Sequence, residues 1–78
     1  MHILTEDNHI ISTDIYNNIR IQRNNVIASN PNVGWGSEKI IVAHCNDKTE
    51  AEKVIQDIFE SLMNEEKTWN AKDRKNRI

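Results

Sequence analysis

Cysteine is almost absent from this 78-residue chain: Cys45 stands alone, so no internal disulfide framework can hold the fold together. A chain that does without disulfides suits a reducing compartment, and a cytoplasmic protein is expected. There are three histidines, His2, His9 and His44, and no CxxC or HxxxH pair, so the ligand spacing of a metal site is missing. Glycine and proline are scarce, with two and one, and aromatic residues make up 5% of the chain. No phosphate-cradling glycine motif exists, because Gly34 and Gly36 flank a tryptophan instead. The longest apolar run, Ile40 to Ala43, is far too short to span a bilayer, and no charged-then-apolar leader opens the chain. Neither a cofactor, a metal nor a membrane is expected.

Net charge is −2, with 37% apolar residues in patterned blocks. This excludes a disordered chain and gives no support to a nucleic-acid domain; binding to duplex nucleic acid is disfavoured. A chain of this length buries only about 60% of the surface its unfolded form exposes. Self-association is a common remedy, and a homo-oligomer is expected.

The first 45 residues read as strands. His2–Thr5 and His9–Ser12 are short β-prone runs around the turn-forming Glu6, Asp7 and Asn8. Ile15, Ile19 and Ile21 share one parity while Arg20 and Gln22 take the other, as in a half-buried strand. Asn24-Asn25 suits a tight turn, with Val26–Ser29 returning. Residues 30–37 (NPNVGWGS) form a loop, and Lys39–Cys45 (KIIVAHC), apolar on both parities, reads as a central strand. Asp47 is a good helix N-cap with Glu50 three residues on. Ala51, Val54, Ile55, Ile58, Phe59, Leu62 and Met63 then fall at steps of three and four, one apolar stripe on a helix over about residues 48–66. Glu52, Lys53, Asp57, Glu60, Glu65 and Glu66 lie on its solvent side. The expected fold is α+β: a small antiparallel sheet of about four to five strands packed on one long C-terminal α-helix. Residues 1–66 form the single domain, and residues 67–78 a basic, partly disordered tail. In that packing Phe59 and Leu62 cover a sheet face built around Ile40 and Val42.

The strand KIIVAHC, the Asp47-Lys48-Thr49-Glu50-Ala51 helix start and the Val-Ile-x-x-Ile-Phe helix resemble short phage and prophage accessory proteins of low-GC Gram-positive bacteria. The resemblance covers roughly residues 1–65, and the Gly34-Trp35-Gly36 loop and the final segment depart from it. It implies a phage-type accessory protein, in the host cytoplasm if it is phage-encoded, and carries no catalytic residues.

His44 and Cys45, adjacent on a strand, point to opposite faces and cannot work as a pair, so Cys45 reads as a small buried hydrophobe. The helix carboxylates lack an apolar pocket that would raise a pKa for acid–base work. An enzyme is not expected. Trp35, between two glycines, either lids the core or meets a partner, and Asn32 beside it offers hydrogen bonds. Arg20 and Arg23, with the tail cations Lys72, Arg74, Lys75 and Arg77, are the basic features. Trp35, Asn32, Arg20 and Arg23 are the candidate binding residues. The expected function is non-enzymatic: binding and inhibition of a host protein, possible targets including a defence protein. The alternative is an oligomeric binder that sequesters a small anionic, nucleotide-like ligand.

Overall fold

The structure, a computed structural model, describes residues 1–31 and 38–77. Its elements run β1 (His2–Leu4), β2 (Ile10–Ser12), β3 (Asn18–Gln22), β4 (Asn25–Asn30), β5 (Glu38–Ala43), α1 (Lys48–Met63), β6 (Thr68–Asn70) and α2 (Ala71–Arg77). The α+β class is as expected, but the strands divide into two three-stranded sheets, ordered β2-β1-β6 and β3-β4-β5. A single sheet under one helix is therefore corrected to two sheets and two helices among the described residues.

Both hairpins are present. Thr5 closes the first: its N–H donates to the His9 carbonyl, and its hydroxyl accepts from the His9 N–H at 3.0 Å. In the second, Gln22 pairs with Asn25, so the two turn residues are Arg23 and Asn24, one position earlier than the Asn-Asn pair suggested. Both have positive φ, 53° and 70°, as a turn matched to the strand twist demands.

The central strand of the larger sheet is β4, not β5. Val26 to Ser29 are buried on both parities, whereas β5 pairs on one side only. The apolar run in β5 has another cause. A register shift lets Val26 pair with Ala43 and Ile27 with Ile41, which leaves Val42 as an extra residue. Val42 and Ala43 both turn into the core, and the Val42 carbonyl accepts the N–H of Glu6 from the first hairpin. Ala43 is thus a core residue. Ile10 stays 73% exposed.

Helix α1 starts as the sequence predicts: the Asp47 side chain accepts from the Glu50 N–H at 2.8 Å. It stops at Met63 because the chain reverses through Glu65, held at φ 56°. The Glu66 N–H donates to the Ser61 carbonyl and the Glu65 N–H to that of Leu62, the paired bonds of a Schellman stop with glutamate in glycine's usual place.

Beyond that stop, residues 67–77, expected to be a loose tail, carry β6 and α2. β6 adds parallel to β1, with Trp69 opposite Ile3. Trp69 is 1% exposed and is the largest fully buried side chain among the described residues. The core gathers Ile3, Ile11, Val26, Val42, Val54, Ile58 and Trp69 from both sheets and α1, with α1 lying on β3 and β4. Only part of the helix's apolar stripe takes part. Ala51, Val54, Ile58 and Ser61 are buried, while Phe59 is 54% and Met63 68% exposed. Phe59 and Leu62 as sheet-covering core residues are corrected: Trp69 takes a place in the core with Ile58, and Phe59 and Leu62 stay at the surface.

Candidate functional site

The ends of the chain are tied down by charge. Asp57, placed by periodicity among the solvated carboxylates, lies under α2. Its Oδ2 accepts from Trp69 Nε1 at 2.9 Å and Arg74 Nε at 2.8 Å, and its Oδ1 from Arg74 Nη2 at 2.9 Å. The bidentate Arg74 holds the Asp57 carboxyl below the usual carboxylate range, and the Trp69 N–H adds to the effect against partial burial. Lys75 donates to Glu6 at 2.9 Å and to the His44 carbonyl, with Glu50 at 3.5 Å. Burial works against its charge, but Glu6 and Glu50 together outweigh it and leave the ammonium above its ordinary pKa. Arg77 pairs with Asp73, and Lys72 with the Asn8 side chain. The cations of residues 72–77 are therefore engaged within the protein.

His44 meets Asp7 at 2.9 Å, and Cys45 is half-buried. Burial, and then Glu50, push the Cys45 thiol up, which suppresses its thiolate. Among the described residues no group of three His, Cys, Asp or Glu side chains is placed to hold a metal ion. No described helix is long and apolar enough to cross a membrane.

Among the grooves of the described residues, two bear on binding. The first lies between α1 and β3, where Asn17, Ile19, Ile55, Ile58, Phe59 and Leu62 line a shallow groove of about 190 Å³. Met63 continues it one helical turn beyond Phe59. Glu52, Gln56 and Glu60 stand on the solvent side of Phe59 and Met63, so the groove has an acidic rim. Periodicity had identified Phe59, Leu62 and Met63 but placed them on the buried stripe. Their exposure could be found only from the tertiary structure, in which Trp69 joins the core.

The second surface is the face of β3–β4–β5 turned away from α1. Ile19, Ile21, Val26 and Ala28 face the core, so Arg20, Ile27 and Ile41, aligned across the sheet, face outward. Ile27 is 4% exposed and, with half-buried Ile41, floors a groove of about 380 Å³ whose sides include Gln22, Arg23 and Lys39. Arg20 Nη1 donates to the buried Ser29 hydroxyl at 2.9 Å, which pins its guanidinium over the sheet. Of the four candidate binding residues, Arg20 and Arg23 are brought together here. Asn32 and Trp35 lie outside the described residues. Lys39, which sequence reading passed over, joins them because β5 pairs beside β4, setting Lys39 against Ser29.

Among the described residues, the ion pairs involve none of Arg20, Arg23 and Lys39. The helix on the far side of the sheet exposes Glu52 and Glu60 beside Lys48 and Lys53, and Glu65 follows just past its end. The molecule is thus polarised, acidic on its helix side and basic on its open sheet face. Comparison with known families, curated proteins and solved structures finds no match.

Proposed function

We propose that this chain is a non-enzymatic accessory protein of phage type that binds a host protein and inhibits it, docking through the groove between α1 and β3. The observation that carries this reading is the exposure of Phe59, Leu62 and Met63 side by side on one helix face. Large apolar side chains left together at a surface cost solubility and mark interaction sites. An apolar groove with acidic flanks fits an amphipathic helix whose apolar stripe is bordered by Lys or Arg. A homo-oligomer is the competing occupant. A two-fold pair through this face would set Glu52 and Glu60 near their own copies, which the acidic rim opposes.

The test uses the intact chain and a Phe59→Ser/Met63→Ser variant. Both residues are more than half exposed, so the variant stays folded with only a small fall in melting temperature. A host protein captured by the wild type should bind the variant at least about 30-fold more weakly, the equivalent of a hot spot of about 2 kcal/mol. Stoichiometric wild-type protein should block that partner's activity, and the variant should not. Equal binding by both proteins overturns the reading. So does light scattering that shows a dimer dissolved by the double substitution, which would assign the groove to a second copy.

A second reading, a binder of small anionic ligands, is favoured by the basic sheet face.

A further inference from the structure

We propose that the outer face of β3–β4–β5 is a separate binding site for a nucleoside polyphosphate, with its phosphates on Arg20, Arg23 and Lys39 and its base over Ile27 and Ile41. The argument begins with where positive charge is left over. Arg74, Lys75 and Arg77 are matched by Asp57, Glu6 and Asp73, whereas Arg20, Arg23 and Lys39 form no ion pair among the described residues and share one face. A sheet face that carries three cations and no acid between them has a positive potential, and the acidic helix lies behind the sheet rather than beside the groove.

Spacing then narrows the ligand. Arg20 and Lys39 stand on the two outer strands, β3 and β5, and two residues apart in register. Strand spacing of about 4.8 Å and a rise of about 3.3 Å per residue put their Cα atoms about 12 Å apart. Arg23 stands at the hairpin end, three residues beyond Arg20. The Arg20 guanidinium reaches Ser29, opposite Lys39, whereas Arg23 stands at the hairpin end, so one phosphate does not meet all three cations but several linked phosphates can. Three cations are also few for a duplex, whose binding rests on many phosphate contacts.

The remaining lining suits a base. Ile27 and Ile41 give an apolar floor of limited extent, and the exposed Gln22 side chain stands at its rim with an amide able to donate and accept. Arg20 is held in place by Ser29 before any ligand arrives, so less conformational freedom is lost on binding.

The experiment titrates ATP, AMP, tripolyphosphate and a twelve-residue oligothymidylate into the isotope-labelled full chain, followed by amide shifts and calorimetry. ATP should perturb Gln22, Arg23, Ile27 and Lys39, and bind at least tenfold tighter than AMP. Arg20→Ala/Arg23→Ala should weaken ATP at least tenfold while leaving the melting temperature within a few degrees. Phe59→Ser/Met63→Ser should leave ATP binding unchanged, which separates this site from the protein-docking groove. Tripolyphosphate equal to ATP would remove the base-binding floor and overturn the nucleoside assignment. Equal affinity for ATP and AMP, no shift at millimolar ATP, or an oligonucleotide bound a hundredfold tighter than ATP would each overturn the proposal.

Discussion

Replacing Asp57 by alanine separates the tertiary arrangement from anything the helix periodicity suggests. Trp69 is 1% exposed, and its indole N–H has Asp57 Oδ2 as its partner at 2.9 Å. Removing the carboxylate strands that donor in the core, at a cost of about 1–3 kcal/mol. Arg74 loses two bonds as well, but its side chain is 27% exposed and can turn to water, so it adds less. A loss of about 2–3 kcal/mol follows, and for a domain of this size each kcal/mol lowers the melting temperature by about 4–8 °C. Phe59→Ala is the contrast. A buried phenylalanine would cost about 3–5 kcal/mol on truncation, but Phe59 is 54% exposed and should cost below about 1 kcal/mol. Urea unfolding of the two variants, with unchanged m-values, measures both. Asp57→Asn keeps an acceptor for the indole without the charge and should fall between Asp57→Ala and the wild type. Should Phe59→Ala prove the more damaging of the two alanine variants, the assignment of core and surface made here is refuted.

Two further outcomes follow from the same geometry. The Asp57 carboxyl has a depressed pKa when folded, so its contribution is present above the unfolded value of about 3.9 and lost as pH falls through the folded one. Lys75, raised when folded, contributes fully below about 10.4 and loses its contribution as pH rises through its folded pKa. Stability measured against pH should therefore decline at both extremes, with Asp57→Asn flattening the acid limb and Lys75→Met the alkaline one; unaltered limbs would contradict the two ion pairs. Glu65 occupies a left-handed conformation at φ 56°, so Glu65→Gly should raise stability by about 1 kcal/mol in thermal unfolding. A destabilised glycine variant would mean that the Schellman stop does not govern the end of α1.

Local signals in the chain determined what depends on neighbours in sequence. Asp47 and Glu50 marked the helix start, steps of three and four marked its apolar stripe, and the parity of Ile19, Arg20 and Ile21 marked both faces of β3. These are legible because capping and pleating act over a few residues. Arg20 and Arg23 were readable as a basic feature for the same reason. Which apolar residues end up inside was decided by partners distant in the chain. Val42 is a core residue because a bulge places it under the first hairpin, and Phe59 is outside because Trp69 reaches the core from a strand that pairs with β1. Charge shows the same division. The cations of residues 72–77 looked free in sequence, yet Arg74 and Lys75 are matched by Asp57 and Glu6, 17 and 69 residues away. Lys39 looked ordinary, yet strand pairing sets it on the face that carries Arg20. A salt bridge or a shared sheet face is a coincidence of position in space, and only the folded chain brings such residues together.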